Sequence, residues 1–182
     1  MNQSMPQRLS KRISAAVAVM AVIIFGVLVG AHPAAAATLV TCAGTQTISY
    51  SPGLTNSPRT VTVQGTNNLG PCVAPNTTIT AGTISFGSTG SYSCQGLLSS
   101  TSEVNVVQWS DNTTSTLQVT RTVTKVNGQL VNTFTGSVTA GTFQGASVVW
   151  TITNVNLALL ACETEAGLTS LTGVDVFTLV SV

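Results

Sequence analysis

The chain has 182 residues, 43% hydrophobic and only 6% charged, with a formal net charge of +1. Beyond residue 37 three basic residues (Arg59, Arg121, Lys125) stand against five acidic ones (Glu103, Asp111, Glu163, Glu165, Asp175), so that part carries −2. No cluster of Lys and Arg exists there, which argues against a nucleic-acid partner, and abundant Thr, Val, Ser and Gly at low net charge argue for a folded β protein rather than a disordered one.

Residues 1–37 read as a secretory signal peptide. Arg8, Lys11 and Arg12 precede the apolar run Ile13 to Gly30, and small residues follow, with Ala35 and Ala37 suiting a cut after Ala37. The apolar run is long enough to serve instead as an uncleaved anchor. Export and release are the expectation, giving a secreted, extracellular or cell-wall-associated protein whose residues 38–182 form one domain. Its four cysteines, Cys42, Cys72, Cys94 and Cys162, imply two disulfides in an oxidising compartment. Zinc would need a close cysteine pair or histidines, and the only histidine, His32, precedes the expected cut. No metal and no cofactor is expected.

Strand-like runs recur along the rest of the chain. "LVTCAGTQTISY" is followed by a turn around Pro52, Gly53 and Pro58, and Val61 and Val63 then alternate with Thr60, Thr62 and Gln64. "EVNVVQW", "STLQVTRTVTKV", "QLVNTFTGSV", "ASVVWTITNV" and "VDVFTLVSV" continue the pattern, and no window past the leader shows helical spacing. Many short strands with regular turns give an all-β fold, either a sandwich or a small barrel. Asn127-Gly128 marks a hairpin, since both residues tolerate positive φ. A two-residue turn there, the preferred register, puts Val119, Val123, Leu130 and Phe134 on one face together with Arg121 and Lys125, the two cations reaching out at the rim. A three-residue turn with a glycine bulge instead sets Leu130 and Phe134 among threonines. Thr-x-Thr pairs such as Thr45/Thr47 and Thr151/Thr153 suit a pleated surface that meets water without charge. They lack the fixed period that a flat threonine binding plane would require.

Cys94, Trp109 and Cys162 resemble the Cys…Trp…Cys signature of immunoglobulin-type sandwiches, in which the disulfide joins two sheets and the indole packs on it. That resemblance implies an immunoglobulin-like antiparallel β-sandwich of about eight to ten strands, with Cys94 bonded to Cys162 and hence Cys42 to Cys72. Leu160 occupies the place where such domains carry a tyrosine. The pieces "CAGTQTISYSPGLT", "GSVTAGTFQG" and "LLACETEAGLTSLTGV" resemble a group of small secreted actinobacterial proteins of uncharacterised role. Ser51 to Leu69 is similar to the first strand-turn-strand of enediyne chromoprotein apoproteins of the neocarzinostatin type. This second likeness implies a cleft for an apolar chromophore.

Little in the chain can do chemistry. A serine nucleophile has no histidine beyond residue 37 to act as its base. Glu163 and Glu165 are the remaining pair for a carboxylate mechanism on glycans, and Asp111 with Asn112, or the same two glutamates, supply oxygens for calcium but without a spaced acidic loop. Trp109 and Trp150 lie in the most apolar strands and are expected in the core. Tyr50 and Tyr92, near turns, are expected to be exposed and are the candidate binding residues. The reading is a non-enzymatic binding or structural module. A carrier of an apolar small molecule is the alternative, and a glycan-directed enzyme comes third. The partners left open are a cell-envelope glycan, another secreted protein or an apolar small molecule.

Overall fold

The computed structural model describes residues 37–154 and 159–181. The expected signal peptide, but for Ala37, lies outside the described residues. Period-two alternation builds eight strands: β1 (Thr38–Leu54), β2 (Arg59–Val73), β3 (Gly82–Tyr92), β4 (Thr101–Trp109), β5 (Thr114–Val126), β6 (Gln129–Gly141), β7 (Ser147–Asn154) and β8 (Leu168–Val180). In β1, for example, Val40, Cys42, Gln46, Ile48 and Tyr50 are buried while Thr45, Thr47 and Ser49 are exposed, as expected for a strand with one face in a core. Short 3-10 helices at Cys94–Leu98 and Leu159–Glu163 interrupt the strand sequence.

Every strand pairs antiparallel with its neighbours in sequence, and β8 returns to pair with β1, so the sheet is a closed barrel. The immunoglobulin-like sandwich is therefore corrected. Two stacked sheets need connections that cross from one sheet to the other, whereas these connections all lead to the adjacent strand and the last edge is used up by the first. The all-β class, the eight strands and both disulfides stand, with Cys42 bonded to Cys72 and Cys94 to Cys162. The two bridges act at opposite ends. Cys42 faces Cys72 directly across the β1–β2 ladder, and Cys94 and Cys162 join the two 3-10 helices. Trp109 packs in the same cluster as Cys42 and not with the Cys94 bridge, a second departure from the immunoglobulin pattern.

The hairpin turn is the two-residue one. Val126 pairs with Gln129, and Asn127 (φ 49°) and Gly128 (φ 78°) form the turn. Both residues lie in the left-handed region that a type I′ turn requires. Lys125 is exposed, but Arg121 does not reach out at a rim. Its guanidinium points inward, with Nε buried and Nη2 donating to the Ser99 carbonyl at 3.0 Å.

The interior holds two apolar clusters. One gathers Trp109, Trp150, Phe134, Phe177, Leu117 and Ile84; the other gathers Ile48, Tyr50, Leu54, Val61, Leu168 and Leu171 around the Cys94–Cys162 bridge. Polar inward positions mark the boundary on several strands. Gln46 falls between Cys42 and Ile48, Asn67 between Val61 and Leu69, and Asp175 between Leu171 and Phe177, and all three are buried. The barrel thus has a polar waist.

Candidate functional site

β2 and β3 pair along their full lengths, from Arg59↔Tyr92 to Leu69↔Gly82. β3 and β4 pair only at Gly82↔Trp109 and Thr83↔Gln108. Beyond those two pairs the strands part, and the free edges of β3 and β4 flank a cavity of about 420 Å³. Phe86 and Val104 line it from the two edges and are 37% and 61% exposed, so the cavity reaches the surface at this seam. Leu97, on the 3-10 helix held by the Cys94 bridge, closes part of the wall.

The wall is aromatic. Both tyrosines, Tyr50 and Tyr92, line it with Phe86, Phe134 and Trp150. Phe134 and Trp150 face each other across the β6–β7 ladder and stack, ring centroids 4.3 Å apart at 22°, a geometry that adds to the burial of their faces. Phe86 lies over Gly65, where a Cβ would come within 2.2 Å of its ring. Burial, partly offset by Arg121, pushes the Tyr50 phenol up to about 12, so it stays a neutral hydroxyl. Tyr92 and Ser88 share a hydrogen bond at 2.8 Å. The expectation that both tyrosines are exposed is corrected for Tyr50, which is buried, and Tyr92 is half-buried. β1 carries Tyr50 into the interior because it has the same parity as Ile48 and Gln46.

Polar groups line one part of the cavity. Asn154 Nδ2 donates to the Thr172 carbonyl and to Gln46 Oε1, each at 3.1 Å, and Asn154 Oδ1 accepts from Asn132 Nδ2 at 3.0 Å. The Thr172 carbonyl can only accept, so it fixes the orientation of Asn154 and, through it, of the other two amides. Asn132 Oδ1 is left buried without a partner, as are Asn105 Nδ2, Arg121 Nε and Trp150 Nε1. The other indole, Trp109 Nε1, donates to Ser115 Oγ at 2.8 Å. Glu103 lines the cavity too, and burial holds its carboxyl above the usual range despite the opposing pull of Arg121.

The remaining expected residues lie elsewhere. Glu163 and Glu165 are exposed in the segment before β8 and do not line the cavity. Asp111 accepts from the Thr113 backbone and hydroxyl in the β4–β5 turn, which holds its pKa below the ordinary carboxylate value. Trp109 and Trp150 are both core residues at 2% exposure, and Trp150 additionally faces the cavity. Threonines from neighbouring strands do fall into rows, such as Thr122, Thr133 and Thr151, but closure of the sheet curves them around the barrel instead of laying them on a plane. Gln46, Asn105, Arg121, Asn132 and Asn154 were not expected as site residues. The available sign was a polar residue at an apolar parity, as Gln46 has between Cys42 and Ile48.

No family model matches the chain, and neither a curated protein nor a solved structure matches it.

Proposed function

We propose that this protein binds one small, predominantly apolar molecule in the barrel interior and carries it, without catalysing its conversion. The observation that carries this reading is the 420 Å³ cavity at the β3–β4 seam. Ligand pockets start at roughly 300 Å³ and combine apolar walls with a few placed polar groups, and eight strands are the number at which a barrel is either filled by side chains or holds one small ligand. Binding without turnover is supported by where the acids are. Glu163 and Glu165 lie outside the cavity, and Glu103 faces Arg121 rather than a second carboxylate. Two disulfides fit an exported protein working in an oxidising compartment.

The reading is tested by titrating the purified protein with 1-anilinonaphthalene-8-sulfonate. Saturable, blue-shifted fluorescence at one site per chain is expected. It should be lost in Val63→Trp, which fills the cavity from a half-buried position on β2, while the circular dichroism stays that of a β protein. Absence of saturable binding, or binding undiminished in a folded Val63→Trp variant, contradicts the reading.

A further inference from the structure

The class of molecule follows from the unpartnered polar atoms of the cavity wall, and the inference rests on the binding reading just given. Trp150 Nε1 and Arg121 Nε are buried without partners, and both are donors whichever way any amide is turned. Asn105 Nδ2 adds a third as the side chain stands. Against these there is one buried acceptor, Asn132 Oδ1, whose orientation is fixed through Asn154 by the Thr172 carbonyl. Buried indole N–H groups ordinarily find a partner, and Trp109 has one in Ser115. Trp150, equally buried, has none. These atoms are closed to water while their side chains line the cavity, so the partner they lack has to come from a molecule bound there. The excess of donors calls for a molecule that brings acceptors. The stacked Phe134–Trp150 pair, with Tyr50, Phe86 and Tyr92 around it, calls for flat rings.

We infer that the occupant is a flat aromatic molecule bearing a carbonyl oxygen, the oxygen accepting from the Trp150 indole and the Arg121 guanidinium. A flexible acyl chain would leave the ring faces poorly matched.

The chain has two tryptophans, so ¹⁵N-labelled protein gives two indole N–H resonances, one already hydrogen-bonded and one free. Three probes separate the possibilities: 9-fluorenone, the isosteric hydrocarbon fluorene, and dodecanoate. The expected result is that fluorenone binds about tenfold more tightly than fluorene, the worth of one relieved buried donor, and moves the Trp150 indole proton downfield while Trp109 stays in place. Trp150→Phe, which keeps a ring and removes the N–H, should erase the preference, read as the ratio of fluorenone to fluorene affinity within that variant. Arg121→Met should reduce the preference independently, and the wild-type comparison alone decides if either variant fails to fold. Equal affinity for fluorenone and fluorene, or tighter binding of dodecanoate, overturns the carbonyl-aromatic class and leaves the binding reading intact. If none of the three binds, the cavity admits no small apolar molecule and both readings fall together.

Discussion

Asp175 is 2% exposed, and neither of its carboxylate oxygens has a partner. Burial pushes its acid up to about 7, because the charged form loses water and gains nothing in return. In the folded protein it therefore holds a proton that the unfolded chain has already released, over the range between about 4 and about 7. Stability should rise as the pH falls through that window, by on the order of a few kcal/mol. Glu103, also raised, acts in the same direction, while Asp111, lowered, opposes it only in more acidic solution. Thermal melts at pH 8 and pH 5 are expected to show the higher Tm at pH 5, and Asp175→Asn should raise the pH 8 value and flatten most of the difference. A Tm that falls on acidification across this range contradicts the assignment. Asn154 is the other decisive side chain, since it bonds Asn132, Gln46 and the Thr172 carbonyl at once. Asn154→Leu leaves the buried Gln46 and Asn132 amides without these partners and should cost about 1–3 kcal/mol per stranded buried group in urea denaturation. At this scale the sequence disclosed the core tryptophans and Tyr50 and Tyr92 as residues worth testing. It concealed the amide relay, because each amide lies on a different strand and meets the others only through pairing at sequence separations of 22 and 108.

The Asn127-Gly128 turn was legible from its dipeptide alone, because the required φ values are a local property. The β5–β6 register was not, since two-residue and three-residue turns put different side chains on the inner face and neither pattern is clean. Pairing alone decides it. The parting of β3 and β4 was not legible. Nothing in "TISFGSTGSY" or "EVNVVQW" distinguishes a strand paired on both sides from one paired on a single side. The seam has a kinetic signature. Alternate amides along Ser85–Ser91 and Ser102–Val106 have no strand across the gap to accept from them. Hydrogen exchange there should be fast at every second residue, while β6, β7 and β8, paired on both sides, stay protected. Uniform protection of β3 and β4 would mean that the seam is closed. The disulfides should also differ by position. Replacing Cys94 and Cys162 by alanine should cost about 2–5 kcal/mol and weaken probe binding, because that bridge holds the 3-10 helix whose Leu97 walls the cavity. Replacing Cys42 and Cys72 should lower stability and leave binding nearly unchanged, since neither residue lines the cavity.

At the level of the molecule, sandwich and barrel share one local pattern of alternating strands and turns, and they differ only in which strands finally meet. The β8–β1 pairing, which joins Thr38 to Val180, decides between them and leaves no trace in any short window of sequence. The spacing of Cys94, Trp109 and Cys162 pointed to the right bridge and the wrong architecture, because a barrel can also place two distant turns side by side at one end. Closure then creates the interior space, and the incomplete β3–β4 ladder gives access to it. A crystal soaked with 2-bromo-9-fluorenone tests that account most directly through the anomalous scattering of bromine. The expected result is a single strong peak inside the barrel, bounded by Tyr50, Phe86 and Trp150, with the ketone oxygen toward the Trp150 indole and Arg121. A peak only on the outer surface, or an interior packed solid with the seam zipped along β3 and β4, would contradict it.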